Sequence, residues 1–405
     1  MPLDTKTSVV EVISSDEAQQ KSEIRSIPFG RPMIGDAERA AVMDVLSGHI
    51  LTHGPKVKEF ETAFAEFTGA PHALATSSCM AALHLAYMYL GIGCDDEVIV
   101  PAQTHVATAH AVELCGARSV FVDCESQTGN IDIDQIEAAI TEKTKALSVV
   151  HYLGLPVDMP RIMQIANKHN LFVVEDCALA IGATVQGTHV GLFGDVGCFS
   201  FYPVKHITTA EGGMLITRRD DVAEAVSMLR AFGIDRNIVS QRPIPGEYDV
   251  QVLGNNYRMN ELGAAMGLVQ VGRLDEFLAK RRANYEQLEA GLSDIQGIKL
   301  LNSTTGPLQS AYYCFTILLG EGLEPKRRAM MDLLKQRGVG CSVYYPRPVP
   351  NMSYYRQRYG SADKCFPVAS RFSATSIALP VGPHVGKKDV QYIVASVKTA
   401  IATVR

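Results

Sequence analysis

Lys205 is set where a lysine can do covalent chemistry. It lies in Cys198-Phe-Ser-Phe-Tyr-Pro-Val-Lys205-His-Ile-Thr-Thr-Ala-Glu-Gly-Gly-Met214. An alternating run at 198–202 predicts a strand, Pro203 breaks it, and a Glu-Gly-Gly turn leads into a second strand at 214–217. A lysine held between strands, in dry or cationic surroundings, has a lowered pKa and becomes an amine able to form a Schiff base. The plain alternative is a solvated lysine beside a hairpin. His206 comes next, and on a strand it would face the opposite side.

Two further segments supply partners for such an amine. Leu171-Phe-Val-Val-Glu175-Asp176 is an apolar run ending in two acids, the pattern of a strand buried on both faces of a parallel sheet. Ligands of open α/β sheets bind beyond the carboxyl ends of the strands, which places one of these acids at a ligand. An acid there can simply cap the next helix. It can also keep a proton on the ring nitrogen of pyridoxal phosphate, the state in which that ring accepts electrons from a developing carbanion. His72-Ala-Leu-Ala-Thr-Ser77-Ser78 then leads into a segment rich in helix formers. Serines at such a junction are ordinary N-caps, and the same geometry binds a phosphate through free N–H groups.

In this order the segments resemble the DegT/DnrJ/EryC1/StrS family of pyridoxal-phosphate sugar aminotransferases, from about residue 27 to the C-terminus. Also matching are Gly35-Asp-Ala-Glu-Arg-Ala-Ala-Val42, Asp95-Asp-Glu-Val-Ile-Val-Pro101, His151-Tyr-Leu-Gly154 and Gly254-Asn-Asn256-Tyr-Arg-Met259. The resemblance implies that Lys205 holds the cofactor covalently and shuttles protons, and that Asp176 pairs with the pyridinium nitrogen. It assigns Ser77, Ser78 and Ser200 to the phosphate and His105 to the face of the ring. It implies that Asn256 reaches into the site of a partner subunit, and hence a homodimer. An imidazole can stack on a heteroaromatic ring, although a histidine after a strand is equally a hydrogen-bonded loop residue. The chain departs from the family at Leu179, where relatives commonly carry His or Gln and some carry Glu, and at Tyr344, where many read His. Both are expected near the substrate.

Composition agrees with a globular enzyme. The chain has 405 residues, 47% hydrophobic and 20% charged, with a net charge of −5, so nucleic acid is not an expected partner. No apolar stretch long enough to span a membrane and no signal-peptide segment stands out. Nine cysteines without CxxC spacing suggest reduced thiols in the cytoplasm and no metal site. Gly91-Ile-Gly93 and Gly382-Pro-His-Val-Gly386-Lys387 fall short of nucleotide-binding loops.

Strand-like runs at 98–101, 119–122, 146–150 and 171–175 alternate with helical ones at 133–140 and 159–169. That predicts an α/β fold, a mostly parallel sheet flanked by helices as in fold-type I aminotransferases. A helical stretch at 260–292, a strand at 311–319 and a helix at 325–337 predict a smaller C-terminal α+β domain. The expected division is a flexible polar tail at 1–26, a large cofactor-binding domain at 27–258 and the small domain at 259–405.

The function that follows is transfer of an amino group from L-glutamate to a keto-sugar. Thr208-Thr-Ala-Glu211-Gly-Gly resembles the version carried by relatives acting at sugar carbon 4. The expected acceptor is therefore C4 of a nucleotide-linked 4-keto-6-deoxyhexose, in surface-polysaccharide or glycoside biosynthesis. The alternatives are transamination of a 3-keto-sugar or cyclitol, or a deoxysugar dehydratase using pyridoxal or pyridoxamine phosphate. Resembling dehydratases replace the lysine with histidine.

Overall fold

A computed structural model describes residues 25–234, 244, 246–320, 322–360 and 365–405. The tail expected at 1–26 thus lies almost wholly outside the described residues, although Arg25 pairs with Asp389.

The chain opens with helices α1 (Asp36–Ser47) and α2 (Pro55–Thr68), then β1 (His72–Thr76), α3 (Cys79–Leu90), β2 (Glu97–Pro101) and α4 (Val106–Leu114). Strands β3 (Arg118–Val122), β4 (Thr144–Val150) and β5 (Phe172–Asp176) follow. The short pair β6 (Thr184–Val185) and β7 (Thr188–His189) comes next, then β8 (Val196–Ser200) and β9 (Gly213–Thr217). Seven strands form the main sheet in the order β1-β9-β8-β5-β4-β2-β3. Only β9 runs against the others. All five residues of β5 and all five of β8 are buried, because helices cover both faces of the sheet.

A second, three-stranded antiparallel sheet joins Ile298–Leu300, Phe315–Leu319 and Ser376–Leu379. Its core packs Phe315, Ile317 and Leu379 against Leu288 and Ile393 of the flanking helices.

Three expectations need correction. The helix expected at 260–292 is two, Glu261–Val271 and Leu274–Leu292, separated at Gly272 and Arg273. The strand expected at 311–319 begins only at Phe315, because Tyr312 has a positive φ of 50°, outside the β region. The strand expected at 198–202 ends at Ser200, so Lys205 and His206 sit in a loop and strand alternation does not set their directions.

Candidate active site

The carboxyl ends of the parallel strands bring the expected residues to one edge of the sheet. Asp176 closes β5, Ser200 closes β8, Ser77 and Ser78 follow β1, and His105 follows β2. Because β9 is inverted, its first residue, Gly213, lies at the same edge. A Cβ on Gly213 would stand 2.4 Å from the Ser78 carbonyl carbon and 2.5 Å from the Cys79 nitrogen. The second glycine of the Glu-Gly-Gly turn is therefore required by contact with the start of α3. Thr208 and Thr209 serve the same turn, their hydroxyls donating to the Phe201 and Glu211 carbonyls at 2.9 and 2.8 Å.

The two acids of β5 separate cleanly. Glu175 is fully buried and accepts from the Gly191, Phe193 and Gly194 amides at 2.7–2.8 Å, and from His151 Nε2 at 3.0 Å. Its lone pairs are filled. His151 Nδ1 in turn accepts from the Val157 amide at 3.1 Å. Both ring nitrogens are thus spent, and the buried group His151, Glu175 and Cys177 holds loops together.

Asp176 is also buried, yet among the described residues it accepts only two bonds. They come from the Ala178 amide at 3.0 Å and the Thr108 hydroxyl at 2.7 Å. A carboxylate has room for about four. A buried carboxylate with open lone pairs suits a protonated ring nitrogen, and that is the test the site passes for pyridoxal phosphate. Thr108 is a residue that sequence reasoning missed.

Lys205 is half-buried. Its ammonium lies 5.2 Å from the centroid of the Tyr313 ring. Burial pushes its pKa down to about 8, opposed by the nearby Cys79, Asp176 and Cys314. Behind it, buried Arg281 donates to the Tyr313 carbonyl at 2.8 Å and the Lys205 carbonyl at 3.4 Å. Desolvation lowers that guanidinium to about 10. His206 turns inward and bonds the Ala311 carbonyl through Nε2 at 2.9 Å.

The remaining expected residues fall as follows. Ser78 caps α3, accepting from the Ala81 amide at 3.1 Å, and the Ser77 amide donates to the Tyr257 carbonyl at 2.7 Å. Ser200 Oγ accepts from the Tyr202 amide at 3.4 Å. His105 caps α4, its Nδ1 accepting from the Ala107 amide at 3.2 Å, with its ring edge-on to Tyr345 at 5.7 Å. Partial burial first, and the Lys205 ammonium second, lower the His105 pKa.

Tyr344 exchanges a 2.8 Å hydroxyl–hydroxyl bond with Tyr313, and its carbonyl is held by Gln103 and Tyr152. Leu179 is packed into an apolar cluster with Tyr152, Tyr313 and Tyr345. Asn256 is exposed, and its Oδ1 accepts from Arg258 Nε at 3.0 Å. An amine of lowered pKa, an under-coordinated acid and a helix start with serines can together activate a bound cofactor aldehyde.

Comparison with known proteins agrees with this chemistry. The DegT/DnrJ/EryC1/StrS aminotransferase family matches residues 32–398. The chain is 36% identical to GDP-perosamine synthase of Caulobacter vibrioides over 380 residues, covering 93% of this chain and 98% of that one. It is 34% identical to the spore coat polysaccharide biosynthesis protein SpsC of Bacillus subtilis, over 93% and 97% of the two chains. Among solved structures it resembles the putative sugar aminotransferase Spr1654 of Streptococcus pneumoniae in its PMP form. The TM-score is 0.89 at 29% identity, covering 94% of this chain and 100% of the other. It also resembles Helicobacter pylori PseC, an aminotransferase involved in the biosynthesis of pseudoaminic acid. There the TM-score is 0.87 at 28% identity, with 94% and 100% covered.

Proposed function

The chain belongs to the DegT/DnrJ/EryC1/StrS aminotransferase family and is a pyridoxal-phosphate-dependent sugar aminotransferase; from that premise we propose that it aminates C4 of a nucleotide-linked 4-keto-6-deoxyhexose, with L-glutamate as donor. The observation that carries the C4 reading is the Thr208-Thr-Ala-Glu211-Gly-Gly stretch after Lys205. A relative named GDP-perosamine synthase supports the nucleotide linkage, and SpsC supports a place in polysaccharide biosynthesis.

When bound, pyridoxal phosphate would supply the electron sink that lets a proton leave the donor carbon in one half-reaction and lets a proton be delivered to the sugar carbon in the other. Lys205 Nζ would take up the first and give the second. With a pKa of about 8, about a tenth of it is neutral at pH 7, far more than for an ordinary lysine. Asp176 retains the ring-nitrogen proton by charge. Ser77, Ser78 and Ser200 bind the phosphate with hydroxyls, aided by the N–H groups at the start of α3. His105 covers the ring face, while Leu179 and Tyr344 shape the sugar side. Asn256 serves the site of a second copy in a homodimer.

A panel of GDP-, UDP- and dTDP-linked 4-keto-6-deoxy sugars, with glutamate and mass detection of product, tests the proposal. Amination of one or more is expected. If only a 3-keto-sugar or a ketone without a nucleotide is aminated, the C4 assignment fails.

A further inference from the structure

We propose that Thr108, backed by Thr104, is a positioning pair that aims Asp176 toward the cofactor ring. The inference rests on Asp176 being the ring-pairing acid. Thr108 is fully buried in the first turn of α4, and Thr104 is buried just ahead of that helix. Thr108 Oγ1 lies 2.7 Å from Asp176 Oδ2 and 2.7 Å from Thr104 Oγ1.

The proton order follows from the chemistry of the groups. An ionised carboxylate only accepts, so Thr108 spends its one proton on Asp176. Thr104 must then donate to Thr108. Each hydroxyl is polarised by the one behind it, which strengthens the final bond to the carboxylate. The Ala178 amide holds the other oxygen, Oδ1. Two donors on two oxygens fix the plane of the carboxylate and leave its remaining lone pairs for the ring.

The other titratable groups coupled to Asp176 are Cys79 on α3, Cys198 on β8, Cys177 beside it in sequence, Tyr87, Tyr345, His105 and Lys205. Glu175, its neighbour on β5, is consumed by its own four donors. Burial raises the thiols and tyrosines above their ordinary values, so they stay neutral. Those neutral groups cannot replace a lost threonine proton with charge, and Lys205 is the cation among the coupled groups.

The test compares Thr108→Val, Thr108→Ser, Thr104→Val and Asp176→Asn as purified holoenzymes. Two quantities are read: the dissociation constant for pyridoxal phosphate, and the pH at which the visible absorbance of the lysine-bound cofactor changes. Thr108→Val should weaken retention about tenfold, the scale of one hydrogen bond to a charged group, and move the spectral transition to higher pH. Thr104→Val should act in the same direction and by less, and Thr108→Ser should restore both readings. In the Asp176→Asn background Thr108→Val should add nothing, because the coupling runs through the carboxylate. Wild-type retention and spectrum in Thr108→Val, with Asp176→Asn impaired, overturns this role alone. A wild-type spectrum in Asp176→Asn overturns both the role and the reading of Asp176 beneath it.

Discussion

Adjacent residues in one strand, Glu175 and Asp176, carry opposite expectations. Glu175 is tied to three loop amides and a histidine, so Glu175→Gln should cost about 2–4 kcal/mol of stability. Thermal unfolding of the apo-protein measures that loss. Asp176→Asn should leave the melting temperature near wild type and cut the half-reaction rate by orders of magnitude. Near-normal rates would move the ring-pairing role elsewhere. Lys205→Ala should abolish turnover while the folded protein still binds pyridoxamine phosphate, and retention of more than a tenth of the rate would refute it.

The pH behaviour of Lys205 has a definite sign. Its folded pKa of about 8 lies below that of an unfolded lysine. The charged form is therefore disfavoured by folding, with the cost full below pH 8 and fading as pH rises toward the unfolded value. Apo Lys205→Met should melt higher than apo wild type at pH 7, and the gap should close in alkali. That Lys205 lies between two strands and Asp176 at a buried strand end was legible in their segments. Thr108 was not, because its bond to Asp176 joins a helix start to a strand end 68 residues away. Arg281 was equally hidden: among the charges of Leu274–Leu292 it looks solvated, and only packing reveals that it is buried.

At the level of elements, the inverted strand β9 matters most. It begins against the Ser78–Cys79 backbone, so Gly213→Ala must displace either the strand or the helix start. Pyridoxal phosphate affinity should fall about tenfold or more, since the N–H groups facing the phosphate shift with the turn. Equilibrium dialysis of the apo-protein checks this, and unchanged affinity would show that the turn yields freely. Apolar periodicity reported the parallel strands to within a residue or two, since burial on both faces leaves a continuous apolar run. It failed where a break depends on local backbone. Neither the interruption at Gly272–Arg273 nor the left-handed Tyr312 alters the hydrophobic pattern, so sequence reading continued the helix and the strand through them.

At the level of the whole molecule, several large apolar side chains face outward. They include Leu253 at 89% exposed, with Met43 at 59% and Ile50 at 56%. Leu253 lies three residues before Asn256, the residue proposed to serve the site of a second copy. Mixing inactive Lys205→Ala with an inactive Asn256 variant should regenerate activity through hybrid dimers. Sedimentation as a monomer without complementation would count against shared sites.

The cover of Lys205 also has a consequence in time. Arg281 and Tyr313, which pack behind and over it, are made long after it, as is Tyr344, which braces Tyr313. At ribosomal speeds of about 5–20 residues per second, the lysine emerges roughly five to thirty seconds before that cover is complete. Throughout that interval it is an ordinary, fully charged ammonium. The lowered pKa that suits the amine to its chemistry therefore belongs to the finished fold and not to the emerging chain.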